Sequence, residues 1–129
     1  MIKRDNVRVC VPRYLQIGKG SLNELPEIIK ILGSINSLLI VTDKQMVKFG
    51  YVKKLQEVLS KEGIKSDVFD DTVPDPTDTI VLNGINVLEK CKNDAVIGFG
   101  GGSPIDTAKA IAAMAKYSKN IQDYKPPLM

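Results

Sequence analysis

Two spacings of apolar residues alternate along this chain. SLLIVTD, Ser37–Asp43, is a continuous apolar run with a polar tip, and DAVIGFG, Asp94–Gly100, is a second such run. Unbroken runs of this length are how strands buried on both faces read. Between and around them, apolar residues recur three and four apart. Leu25, Ile28, Ile29 and Leu32 form one such stripe, and Val52, Leu55, Val58 and Leu59 another. That spacing places them on one face of a helix. SPIDTAKAIAAMAK predicts a third helix after the second strand, and KQMVKFG a short one stopped by Gly50.

The punctuation agrees. Ser21 followed by Glu24 reads as a capping box for the first helix. Gly33 and Gly63 read as helix stops. KSDVFDD predicts a short strand, as do Arg8–Val11 and Tyr14–Ile17, which are broken by Pro12-Arg13 and followed by a Gly18-Lys19-Gly20 turn. Pro74–Cys91 is ambiguous. Asn83-Gly84 is a hairpin dipeptide, yet Val81, Ile85 and Leu88 fit a helical stripe. Asp75 can cap, Pro76 suits the first helical turn and Asp78 suits a helix N-terminus. The apolar positions do not alternate, so the spacing favours a helix, in which Gly84 costs roughly 1 kcal/mol against alanine. After Tyr117 the periodicity fades into a segment with a double proline.

Strands and helices thus alternate from Ser37 to Lys116. That order predicts parallel βαβ units, an α/β fold with helices packed on the sheet. Composition leaves this picture intact. The 129 residues are 43% hydrophobic and 26% charged, as in an ordinary soluble domain. A net charge of +3 with scattered lysines argues against nucleic acid. The apolar runs are too short for a membrane span and the N-terminus has no apolar signal core, so a cytoplasmic protein is expected. Cys10 and Cys91 read as reduced core thiols rather than a disulfide. The chain contains no histidine, which removes imidazole acid–base chemistry and makes a transition-metal site within it unexpected.

The candidate chemistry lies at strand ends, where parallel sheets bind ligands. Gly100, Gly101 and Gly102 stand between an apolar strand and an alanine-rich helix. Helix N-termini present unpaired N–H groups and partial positive charge, and glycines let an anion approach them. Ser103 can cap the helix or donate to a phosphate, and Pro104 suits the first helical position. The alternative is a tight turn that starts a helix without a ligand. Asp43, at the other strand tip, can accept from a ribose diol and repel a 2′-phosphate, or merely cap the helix beginning at Lys44. Asp106 and Lys109 are spaced for a local ion pair, or Asp106 stands one turn into the helix near a bound ligand.

GGGSPIDTAK, Gly100–Lys109, resembles the GGGSxxDxAK pattern of the iron-containing (group III) alcohol dehydrogenases. GKGSLNELPEI, VTDK and VPDPT are similar to that family's opening helix, NAD-selecting strand end and adenine-side loop, so the resemblance extends over nearly the whole chain. It implies a Rossmann-like parallel sheet flanked by helices, as in the N-terminal domain of the related dehydroquinate synthases. It implies NAD as cofactor, with Gly101, Gly102 and Ser103 holding the pyrophosphate, Gly100 among the cofactor-binding residues of the same turn, Asp43 at the adenosine ribose, and Asp106 towards the nicotinamide and substrate. Position 75 is commonly asparagine in the family; Asp75 cannot donate a hydrogen bond to the cofactor.

The resemblance further implies that residues 1–116 form an incomplete NAD-binding domain and 117–129 a linker or tail. On that resemblance, the family's threonine-rich TTAGTGSE-like segment and its metal-binding helical domain are expected to lie outside these 129 residues. The whole enzyme would act on an alcohol or aldehyde with a divalent metal, iron or zinc, whose ligands are not in this chain. No turnover is expected from this chain alone, and a homo-oligomer is expected through an apolar face left uncovered. Two further readings stay open: a non-catalytic nucleotide-binding or structural fragment, and a sugar-phosphate lyase of the dehydroquinate synthase type.

Overall fold

The computed structural model describes residues 13–117; the expected strand Arg8–Val11, Cys10 and the segment after Tyr117 lie outside them. Strands β1 (Ser37–Val41), β2 (Lys65–Phe69) and β3 (Ala95–Gly98) form one parallel sheet in the order β2-β1-β3. Ser37 of β1 aligns with Lys65 of β2, and Leu38 with Ala95 of β3. Helix α1 (Leu25–Leu32) precedes β1. Helices α2 (Lys44–Lys48) and α3 (Tyr51–Lys61) connect β1 to β2, α4 (Asp78–Cys91) connects β2 to β3, and α5 (Gly102–Lys116) follows β3.

The central strand explains why its sequence has no polar alternation. Leu38 and Ile40 point to one face and pack with Ile29 of α1 and Val52, Leu55 and Leu59 of α3. Leu39 and Val41 point to the other and pack with Val81 and Ile85 of α4 and Ile111 and Met114 of α5. Leu39, Ile40, Leu55, Ile85 and Ile111 are fully buried, each worth about 1.5–3 kcal/mol in area removed from water. Helices on both faces of a parallel sheet make the α/β architecture that the alternation of runs predicts.

Gly84 is accounted for by packing. A methyl there would strike Ile111 Cδ1 and lie 3.3 Å from Phe69 Cε1. The helix gives up propensity at this point so that α4 can approach α5 closely.

Several local expectations are corrected. Tyr14–Ile17 is not a strand: it has no ladder partner among the described residues, and Leu15 and Ile17 are 75% and 82% exposed. The Ser21–Glu24 capping box is not formed. Ser21–Glu24 is a 3₁₀ turn, Gly20 in the left-handed region precedes it, and Glu24 instead accepts from Gln16 Nε2 at 2.6 Å. α4 is capped by Thr77, whose hydroxyl accepts from the Ile80 N–H, so Asp75 does not cap and Pro76 lies outside the helix. α5 begins at Gly102, with Gly101 at the N-cap position and no side-chain cap. Ser103 therefore does not cap, and Pro104 sits at the third helical position, where its missing N–H is still one that the helix would leave unpaired. Cys91 is exposed rather than a core thiol, because it ends α4 on the solvent side.

Candidate functional site

The direction of winding reverses at β1. α3 carries the chain to β2 on one side of β1, and α4 carries it back across to β3 on the other. The loops after the strands consequently diverge at the carboxyl edge of the sheet, the place where doubly wound folds bind ligands.

A cleft of about 460 Å³ opens there. Asp43, Lys44 and Gln45 line it from the end of β1, Asp70 through Pro74 from the end of β2, and Gly101 through Pro104 from the end of β3. A larger hollow of about 890 Å³ runs along α3 and β2, but its walls carry long solvated chains such as Lys53, Glu57 and Lys61 and none of the strand-end residues. Size alone does not select the site; the convergence of three strand ends does.

The floor of the cleft is tied together by threonines. Thr42 is fully buried; its hydroxyl donates to the Phe99 carbonyl at 2.7 Å, and its own carbonyl accepts from the Thr72 hydroxyl at 2.7 Å. The Phe99 N–H reaches the Val41 carbonyl at 2.9 Å. The ends of β1, β2 and β3 are thereby held in one register.

The three glycines differ in role. Gly100 has φ +142, a conformation that side chains rarely adopt, and a methyl on it would lie 3.0 Å from Pro104 Cγ and 3.4 Å from Asp43 Oδ2. It shapes the turn. Gly98 serves packing: a methyl there would lie 2.8 Å from the Ile105 Cα, forcing α5 off β3. Gly101 and Gly102 are exposed, with nothing within 4 Å of where a Cβ would stand. At the N-terminus of a 15-residue helix with no side-chain cap, this leaves bare amides beside open space, the geometry that accepts an anion.

Asp43 is at the cleft. Its Oδ1 accepts from the Met46 N–H at 2.9 Å, so it does cap α2, and its Oδ2 is the oxygen nearest the Gly100 turn. Asp75 is exposed at φ 53 and lies beyond the lining, which ends at Pro74. Asp106 is also outside the lining; it is exposed and pairs with Lys109 at 3.4 Å. Thus Asp43, Gly101, Gly102 and Ser103 are brought together, Gly100 lies beneath them, and Asp75 and Asp106 stand apart.

Sequence reasoning missed Lys44, Asp70, Asp71 and Thr72. Lys44 Nζ lies 2.7 Å from Asp71 Oδ1 and 3.5 Å from Asp70 Oδ1. The hydrogen bond to Asp71, with help from both carboxylates' charge, raises the Lys44 ammonium above its ordinary pKa against a smaller opposing effect of burial. The acidic pair closing KSDVFDD was a legible signal, a second carboxylate tip on a parallel strand. Among the described residues, no group of histidine, cysteine, aspartate or glutamate is arranged to hold a metal ion.

The family model for iron-containing alcohol dehydrogenase matches residues 12–128. The chain is 36% identical over 115 residues to "Alcohol dehydrogenase 4" of Schizosaccharomyces pombe, covering 89% of this chain and 27% of that protein. It is 34% identical over 122 residues to "NADPH-dependent butanol dehydrogenase" of Clostridium saccharobutylicum, covering 94% of this chain and 30% of that protein. The crystal structure of NADH-dependent butanol dehydrogenase A from Thermotoga maritima is similar with a TM-score of 0.81 at 32% identity, covering 92% of this chain and 30% of that one. The chain therefore spans less than a third of the length of these relatives.

Proposed function

Since the chain belongs to the iron-containing alcohol dehydrogenase family, we propose that it forms the dinucleotide-binding segment of an NAD-dependent enzyme that interconverts an alcohol and its aldehyde or ketone. The observation that carries this reading is the open space over Gly101 and Gly102 at the start of α5, facing a cleft whose far wall is the end of β1. The backbone amides of Gly101 and Gly102 and the Ser103 hydroxyl receive the pyrophosphate, and helix polarity favours its charge. Asp43 accepts from the adenosine ribose through Oδ2 while Oδ1 stays on the Met46 amide. Gly100 contributes the turn and no direct contact.

Asp106, one turn along α5, faces the nicotinamide side. Asp75 contributes to the adenine-side loop as an acceptor only. The bound nicotinamide supplies the hydride acceptor or donor. The role of this chain is to hold and orient that cofactor. The described residues do not fit a metal ion.

Two accompanying readings belong to the same proposal. The protein is cytoplasmic, in keeping with the lack, among the described residues, of any helix long and apolar enough to cross a membrane. It self-associates through exposed apolar side chains, of which Ile17 and Phe49 are examples at 82% and 66% exposure; light scattering on the purified chain reads this directly.

Calorimetric titration with NAD, ADP-ribose and NADP tests the main reading. Heat of binding with NAD and ADP-ribose is expected. No heat with any of the three ligands overturns the dinucleotide site.

A further inference from the structure

We propose that Asp71 is a positioning residue that sets the choice between dinucleotides, by holding the ammonium of Lys44 away from a ribose 2′-phosphate. This rests on reading the strand-end cleft as a dinucleotide site and adds a determinant to it.

Among the described residues lining the cleft, Lys44 is the only cation, and Asp43, Asp70 and Asp71 are the only carboxylates. Lys44 opens α2, directly after the residue placed at the adenosine ribose. A cation in that neighbourhood is the group that would pair with a 2′-phosphate. Here its charge is already engaged, at 2.7 Å by Asp71 and at 3.5 Å by Asp70.

The acceptor side does not swing freely. Asp43 and Asp71 form a backbone bridge between the two loops, and the next residue, Thr72, is buried and bonded to the Thr42 carbonyl at 2.7 Å. Asp71 is thus presented to Lys44 from an anchored loop. Fold stability does not account for the pair: the side chains are 72% and 61% exposed, and exposed ion pairs contribute little. Its consequence lies in the cleft, where it neutralises the one cation and adds a carboxylate near the ribose. The chain resembles relatives described as NADPH-dependent and as NADH-dependent, so the family frame leaves the choice to local residues such as these.

The test compares ADP-ribose with 2′-phospho-ADP-ribose, ligands that differ only by the phosphate. Dissociation constants are measured for the unaltered chain, Asp71→Asn, Lys44→Gln and the double variant. Asp71→Asn should shift the ratio of affinities about tenfold towards the phosphorylated ligand, the size expected of one freed charge near a protein surface. The shift should vanish in the double variant and shrink as salt screens it. Circular dichroism confirms that each variant is folded.

An unchanged ratio in Asp71→Asn, with ADP-ribose still bound, overturns the role of Asp71 and leaves the dinucleotide site standing. A shift that persists in the double variant overturns the role of Lys44. Failure of the unaltered chain to bind either ligand overturns the dinucleotide reading and this proposal together.

Discussion

The hydroxyl of Thr42 donates a 2.7 Å hydrogen bond to the main-chain carbonyl of Phe99, joining the end of β1 to the loop that begins the glycine turn. Thr42 is fully buried. Thr42→Val keeps the shape and removes the donor, so the carbonyl loses this partner at a cost of about 1–3 kcal/mol. The urea midpoint should fall accordingly, and affinity for ADP-ribose should weaken because the turn loses an anchor. An unchanged midpoint would show that the bond contributes nothing.

The glycines should separate into two classes. Gly98→Ala places a methyl 2.8 Å from the Ile105 Cα, and Gly100→Ala requires φ near +142 beside Pro104. Each should lower stability by about 2 kcal/mol or more, through overpacking in one case and backbone strain in the other. Gly101→Ala meets nothing within 4 Å and has an ordinary φ of −79. It should leave the thermal midpoint unchanged yet weaken ADP-ribose binding about tenfold, because the methyl occupies space the anion needs. Equal binding by Gly101→Ala would argue that the amides face no ligand.

Gly84→Ala sets propensity against packing. Within a helix the substitution should gain about 1 kcal/mol, but the methyl collides with Ile111, which is fully buried, and overpacking costs about 1–3 kcal/mol. Net destabilisation in a denaturant melt is expected. Adding Ile111→Val to Gly84→Ala removes the colliding Cδ1 and should recover part of the loss. A more stable Gly84→Ala single variant would show that α4 and α5 yield easily.

Acid sensitivity should centre on Asp94. Its Oδ2 accepts the N–H groups of Asn36 at 2.8 Å and Ser37 at 3.0 Å, leading into β1. The Asn36 amide first, then that of Ser37, holds the carboxyl below its ordinary value of 3.8. A carboxylate whose folded pKa is depressed contributes stability above the unfolded value and loses it as pH falls through the folded one. Stability should therefore drop as pH is lowered through and below 3.8. Asp94→Asn should flatten that part of the profile; an identical acid limb in both proteins would remove Asp94 as its source.

The sequence by itself determined the elements whose cause is local. Leu38 through Val41 read as a doubly buried strand because no polar residue interrupts them, and Val52, Leu55 and Leu59 read as one helix face because spacing along a helix is intrinsic. Asp43 and Gly101 through Ser103 were legible as site candidates because each follows a strand, and strand ends converge in such folds. Only the tertiary structure decided what depends on neighbours distant in sequence. Tyr14–Ile17 has strand-like residues but no ladder partner among the described residues, and strands exist only in pairs. Glu24 turned to Gln16 instead of Ser21 because a competing donor was within reach. Gly84 needed Ile111, 27 residues on in the numbering, to explain it. Lys44 found Asp71 because β2 lies directly beside β1. Spacing along a helix or strand follows from backbone geometry, whereas pairing, close approach and charge partners follow from which segments the fold sets side by side.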